Sequence, residues 1–214
     1  MSETTAPLSG RKAQAARNDA TILDAARTVF LHDPAAPVSA VAAAAGVGIS
    51  ALYRRYAGKE ELLQTLCAEG LRRYLEVAEE ALAAEATPWE AFAGFVSGIV
   101  EADVHSLTVR LAGTFTPTEE LGELAQRANV LTARLFRRTR TAGAVRADLH
   151  LNDLPMLFEQ LSAIRVDDDD RTAALRRRFL ALLLDALRPG AMTAKLPGTP
   201  ASDAELGERW VPAG

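Results

Sequence analysis

The chain has 214 residues, 49% of them hydrophobic and 24% charged, with a formal net charge of −4. That apolar content excludes a wholly disordered chain and suffices for one large domain or for a small domain joined to a larger one. A single cysteine, Cys67, excludes an internal disulfide, and no signal-peptide core or membrane-spanning apolar run is found, so a cytoplasmic protein is expected.

The charge is unevenly spread. Between Arg11 and Lys59 stand seven basic and three acidic residues, a balance of +4 that leaves −8 for the remainder. A basic head on an acidic body suits contact with DNA through the head alone, because phosphate repels the body.

In chain order, residues 1–10 read as a flexible N-terminus. Arg11, Lys12 and Arg17 then precede a helical pattern reaching about Leu31, with Ile22, Ala26, Val29 and Phe30 on one face. The three basic residues suit either an arm along the DNA backbone or minor groove, or a solvated tail. Pro34 and Pro37 end this helix. Val38–Lys59 (VSAVAAAAGVGISALYRRYAGK) combines helix signals with a tight turn: Ser39 as the cap, an alanine-rich run, Gly46 where positive φ is needed, and a second helix over about Ile49–Tyr56. With Val47 and Leu52 turned inward, Gly48, Ile49, Ser50, Ala51, Tyr53 and Arg54 lie towards the outer or N-terminal side, where a recognition helix meets a major groove. Taken alone, Ala42 and Gly46 among apolar neighbours also suit any helical hairpin. At Gly58-Lys59-Glu60-Glu61-Leu62-Leu63 a long helix begins, with Glu61 placed as a capping-box acid, and its pattern continues to about Glu85. Cys67 falls within that pattern as a small core residue.

Across Arg17–Leu66 the chain resembles the TetR family of transcriptional regulators. The matching features are Ile22-Leu23-Asp24-Ala25-Ala26-Arg27-Thr28-Val29-Phe30, the Ala42-to-Gly46 turn, Leu52-Tyr53-Arg54-x-Tyr56, and Lys59-Glu60-Glu61-Leu62-Leu63. The resemblance implies that Ser39 and Tyr53 hold phosphates, that Lys59 does so from the start of the next helix, and that Gly48, Ile49, Ser50 and Arg54 face the groove. Gly48 and Ile49 stand where the family often has hydroxyl or polar residues, and Gly58 where a polar cap is usual. Direct hydrogen bonding to bases is therefore expected to be sparse, with Ile49 suited to a thymine methyl group.

The following region is helical throughout. Thr87-Pro88 opens a helix carrying Trp89, Phe92, Phe95, Val96, Ile99 and Val100; Leu107, Leu111 and Phe115 follow. Glu119–Thr141 forms a long helix closed by Gly143. Asn152-Asp153-Leu154-Pro155 opens another through Leu157, Phe158, Leu161 and Ile164, and a last one over about Arg171–Leu187 carries Leu175, Phe179, Leu182, Leu183 and Ala186. The resemblance implies that this all-α body binds an effector and dimerises. Leu157, Leu161, Ile164, Leu175, Phe179, Leu182, Leu183 and Ala186 would supply the seam of a four-helix bundle, because such wide apolar faces need a second layer. Trp89, Phe92, Phe95, Val96, Ile99, Leu107, Leu111, Phe115, Leu131, Leu135 and Phe158 suit either an apolar effector cavity or a filled core, with His105 or Arg110 placed to orient a ligand's polar end. The resulting organisation is a helix-turn-helix DNA-binding domain over 11–60, a larger helical body over 61–188 and a mostly irregular tail over 189–214 in which Trp210 can dock.

Arg137-Arg138-x-Arg140 and Arg176-Arg177-Arg178 sit on amphipathic helices and are expected to form solvated or ion-paired faces. Asp167–Asp170 reads as an acidic loop with Asp170 as a helix cap rather than a cation site. His32, His105 and His150 lack metal-ligand spacing, and neither a phosphate-binding glycine loop nor a nucleophile elbow is present, so no enzyme, metal or cofactor is expected. The expectation is a homodimeric repressor that binds a near-palindromic double-stranded operator and is released by a small, largely apolar effector, without a membrane partner. The alternative is a helical dimeric ligand-binding or interaction module that binds no specific DNA.

Overall fold

The computed structural model describes residues 10–191, 194–208 and 210, and every regular element among them is helical. The chain divides into two compact units, Met1–Leu66 and Cys67–Gly214. No helix among the described residues is long and apolar enough to cross a membrane.

The first unit holds α1 (Gly10–His32), α2 (Val38–Ala44), α3 (Ile49–Arg55) and the first turns of α4 (Lys59–Ala83), a helix that runs without a break through the boundary. Ile22, Ala26 and Phe30 recur at helical spacing on α1 and are buried, as are Val41 on α2, Leu52 on α3 and Leu62 on α4. Gly46 ends α2 at φ +66°. Its N–H bonds the Ala43 carbonyl at 3.2 Å while that of Val47 bonds Ala42 at 3.0 Å, the paired bonds of a left-handed helix stop. Ser39 does not cap α2. The helix starts one residue earlier, with Pro37 at the cap position (φ −74°, ψ 156°) and no side-chain cap. Proline fixes the approach and Val38 is drawn inward by burial, which leaves Ser39 exposed in the first turn. At the start of α4, Glu61 does reach back, accepting the Ala57 N–H at 2.5 Å.

The second unit is built around α5 (Pro88–Glu101), which packs on α7 (Glu119–Thr141), α8 (Asp153–Ala163) and α9 (Asp169–Leu187) and leads into α6 (Val104–Leu111). A complete capping box starts α5: Thr87 accepts the Glu90 N–H and the Glu90 carboxylate accepts the Thr87 N–H, with Pro88 in the first turn. The apolar face that follows buries Phe92, Phe95 and Ile99 completely. Thr118 caps α7, and Gly143 at φ +64° lies just beyond its end. The cap of α9 is Asp168, which accepts the Arg171 N–H at 2.6 Å, and not Asp170. Two further residues of the acidic run thus enter the first helical turn, where the helix dipole favours carboxylates.

Beyond α9 lie a 3-10 turn, Pro189–Ala191, and a short helix α10, Asp203–Glu208. The segment is tied to the body. Arg146 donates to the Ala194 carbonyl at 3.0 Å, Asp148 accepts the Leu196 N–H at 2.7 Å, and the Asn152 amide donates to Ala201 and Asp203, both at 2.9 Å. Asn152 therefore spends its side chain on the tail and makes no cap bond to α8.

Two consequences are measurable. A Cβ on Gly98 of α5 would stand 2.7 Å from Val77 Cγ1 of α4, and a β-branched side chain in a helix has little rotamer freedom with which to yield. Gly98→Ala should lower stability by about 1–3 kcal/mol in urea unfolding, with Val77→Ala in the same chain restoring most of the loss. The Arg146 guanidinium, and after it the Leu196 N–H, hold the Asp148 carboxyl well below the usual carboxylate range. A depressed folded pKa contributes stability that is full above the unfolded value of about 4 and declines as pH falls below it. Hydrogen-exchange protection of the Leu196 amide should therefore decline from about pH 4 downward, and Asp148→Asn should reproduce that decline at pH 7.

Candidate nucleic-acid interface and body cavity

The α2–α3 hairpin presents one face of α3 outward. Leu52 anchors the helix with no exposed surface, while Ile49 is 39% and Tyr53 54% exposed; Ser50, Arg54 and Arg55 are exposed beside them. Gly48, in extended conformation (φ −65°, ψ 138°), is the cap residue and adds no side chain to that surface. Among the described residues, Tyr53 and Arg54 make no hydrogen bond or ion pair, so a phenol and a guanidinium project together from one helical turn. Arg55 is engaged in an exposed ion pair with Asp19 of α1. Ser39 is exposed on α2.

Lys59 is half-buried. Its Nζ donates to the Pro34 carbonyl at 2.8 Å and lies 5.2 Å from the centroid of the Phe30 ring. The ammonium thus ties the start of α4 to the turn after α1, where a cation over an aromatic face is favourable. The side chains of Arg11, Lys12 and Arg17 lie outside the described residues, as does the expected flexible N-terminus up to residue 9; the three residues fall within α1.

In the body, the aromatic residues expected around an effector are mostly packed against one another. Phe95 meets Tyr74 at 5.6 Å and Phe158 at 6.3 Å, both edge to face, and Phe92 meets Trp89 at 6.1 Å and Phe136 at 6.4 Å. Val96 and Leu135 belong to the same core and Leu131 packs at its margin. Leu107, Leu111 and Phe115 are buried. The Tyr74 hydroxyl shares a hydrogen bond with Thr132 at 2.8 Å, and burial pushes its pKa up to about 12.

Three of the expected lining residues, Ile99, His105 and Phe158, border a partly open pocket of about 10 Å³, room for no more than a single water. The His105 ring meets Phe158 at 5.4 Å, tilted by 49°. The remainder of the lining is Val100, Asp103, Ser106, Leu161, Ser162 and Arg176. Arg176, on α9, is 6% exposed. Its guanidinium donates to Asp103 Oδ1 at 2.7 Å and to the carbonyls of Ser162 and Ile164 at 3.0 and 3.1 Å. Those two carbonyls end α8, whose last turn lacks internal donors and favours a cation. Asp103 also accepts from Ser106 Oγ and is the one non-glycine residue at positive φ among the described residues (φ 48°, ψ 30°).

Nothing local in the sequence marks Arg176 or Asp103 as a site residue. Arg176 lies in a basic triplet whose other members, Arg177 and Arg178, are exposed as expected. Its inward direction follows only from its i, i+4 relation to the buried Thr172 and Leu180 on the core face of α9. Arg134, Arg137 and Arg138 instead line an open surface concavity of about 500 Å³ with Pro88, Thr141 and Ala142.

The expected seam residues divide. Leu161 is buried in the body's own core, and Leu157, Ile164 and Leu183 pack against that core. Phe179 and Leu182 are 48% and 59% exposed, and with half-buried Leu175 and exposed Ala186 they form one apolar stripe along α9 at spacings of four, three and four.

Residues 22–66 match the family model for bacterial regulatory proteins of the tetR family, and residues 87–189 match that of the SbtR-like transcriptional regulator C-terminal domain. Similar solved structures include a TetR transcriptional regulator of Streptomyces coelicolor (26% identity, 83% of this chain and 99% of that one, TM-score 0.54). Another is a TetR regulatory protein of Mycobacterium vanbaalenii (25% identity, 83% and 98%, TM-score 0.56). The TetR-like regulator LfrR of Mycobacterium smegmatis, solved with proflavine, shares the fold (20% identity, 77% and 95%, TM-score 0.54). No curated protein gives a match.

Proposed function

Because the chain belongs to the TetR family of bacterial transcriptional regulators, we propose that it is a cytoplasmic homodimeric repressor. In this reading it holds a near-palindromic operator and releases it when a small, largely apolar effector binds the body. The observation that carries the reading is the outward face of α3, where Ile49, Ser50, Tyr53 and Arg54 stand together on a helix pinned from behind by Leu52. A recognition helix enters the major groove through such a face.

Tyr53 and Ser39 are suited to grip phosphate through hydroxyls, and Arg54 to reach a base edge or the adjacent backbone. Lys59 contributes through the start of α4, which it fixes by its bond to Pro34. Gly48 and Ile49 offer no side-chain hydrogen bond. Sequence choice then rests on Arg54, Ser50, the basic residues of α1 and the shape of the DNA.

Dimerisation is supported by the α9 stripe. Burying Phe179 and Leu182 against a second copy would contribute about 1.5–3 kcal/mol each, and a two-fold axis repeats both contacts. Two heads would then meet successive major-groove faces roughly one helical turn apart. Ile99, His105 and Phe158, among the residues this reading assigns to the effector, border a small pocket in the body. At about 10 Å³ it requires side chains to move before a ligand can enter.

Operator binding should weaken steeply with salt, by a log–log slope of about −0.9 for each phosphate neutralised. Failure of the dimer to bind promoter or genomic fragments at low salt would overturn the repressor reading in favour of a ligand-binding module. Tyr53→Phe should weaken binding by about fivefold at all sequences alike, whereas Arg54→Ala should also relax preference at one or two positions by about 1–3 kcal/mol. Equal loss from Arg54→Ala at every sequence would assign that arginine to the backbone. Leu182→Glu should yield a folded monomer in sedimentation at micromolar concentration; a dimer unaffected by the charge would place the seam elsewhere.

A further inference from the structure

Arg176, Asp103 and the cavity they border identify what the effector presents to the body. We propose that the effector is an apolar carboxylic acid whose carboxylate takes Asp103's place on the buried Arg176 guanidinium. This rests on the reading of the body as an effector-binding domain.

The two partners of the ion pair are not held equally. Arg176 is fixed by the Ser162 and Ile164 carbonyls at the end of α8, and its side chain is 8% exposed. Asp103 has 34% of its side chain exposed, sits between two helices at positive φ, and is held by Arg176 and Ser106. The acid is therefore the displaceable member. One carboxylate replacing another preserves the charge balance around the buried guanidinium, while Asp103 moves into water. A neutral ligand would leave Arg176 without a counter-charge, and a cationic one would face it directly.

The rest of the lining sets the remainder of the ligand. Ile99, Phe158 and Leu161 offer apolar surface beside the guanidinium, and the His105 ring covers Phe158. Once these side chains part to enlarge a pocket of about 10 Å³, an aliphatic or aromatic tail would lie along that side, with the carboxylate directed at Arg176. The exchange also releases the side chain of Asp103, at the α5–α6 corner, from its bond to Arg176. On the far side of that corner lies α4, where a Cβ on Gly70 would stand 3.9 Å from the Val104 carbonyl. Displacement of Asp103 thus acts on a corner that faces α4 within the second unit.

Calorimetry on the full-length chain without DNA tests this. The probes are decanoate and 4-phenylbutyrate, their primary amides, and acetate. The acids should bind at least about tenfold tighter than the amides, because the amides lack the charge-assisted bonds to Arg176. Acetate, with no tail, should bind far more weakly than either acid. Asp103→Asn keeps a side chain that tolerates positive φ and still accepts from Arg176, but removes the competing charge; it should bind both acids about tenfold tighter than the parent chain. Arg176→Gln should abolish the preference for acids over amides, and if that variant does not fold, Asp103→Asn alone decides. Amides binding as well as acids, acetate as well as decanoate, or no gain in Asp103→Asn each overturns the proposal. With no DNA in the cell, loss of operator binding would sink the repressor reading without touching this result.

Discussion

A permanent positive charge inside the body organises the helices around it. A guanidinium buried on α9 needs hydrogen-bond partners, and Arg176 finds three of them on two other segments: Asp103 between α5 and α6, and the two carbonyls that end α8. Leaving such a guanidinium unpaired would cost about 3–5 kcal/mol in a dry interior, somewhat less here because Asp103 is a third exposed. Asp103 adopts a left-handed backbone to make the bond, which among side-chain-bearing residues aspartate tolerates better than most. The geometry of the α5–α6 corner and the end of α8 therefore follow from one ion pair, and the cavity lies beside it.

The helical layout was largely legible in the sequence because its signals are local. Thr87-Pro88-x-Glu90 specifies a capping box within four residues, and Gly46 and Gly143 mark the positive-φ stops of α2 and α7. Where two local signals competed, the sequence was ambiguous. Ser39 is the better capping residue, yet Pro37 starts the helix because Val38 must be buried. Within four consecutive aspartates, any could cap α9, and only the approach of the preceding chain selects Asp168.

The sites were less legible because they depend on direction and pairing across long sequence separation. Arg176 and Asp103 are 73 residues apart, and no pattern in the chain links them. Lys59 is placed by charge and position at the start of α4, and its bonds to Pro34 and Phe30, 25 and 29 residues earlier, are long-range contacts that no local pattern announces. The wide apolar faces of α8 and α9 were clear; which residues face their own core was not. Phe179 and Leu182 stay exposed only because Leu180, Leu187 and Arg176 take the inner face of α9.

The same unequal anchoring bears on regulation. An effector alters operator affinity only through its preference for one arrangement of the protein over another, however tightly it binds. A densely packed core deforms little, so the difference between arrangements must arise where packing leaves a choice. Phe92, Phe95 and Leu135 leave none. The α5–α6 corner does, since a partly exposed carboxylate there holds a strained backbone against a fixed guanidinium. Close contact then carries a change at that corner into α4: Gly98 admits Val77 where any Cβ would clash, and Gly70 lies beneath the Val104 carbonyl. Val77 and Gly70 both belong to the part of α4 that lies in the second unit, so the contacts that would feel a change at the corner are local to the body.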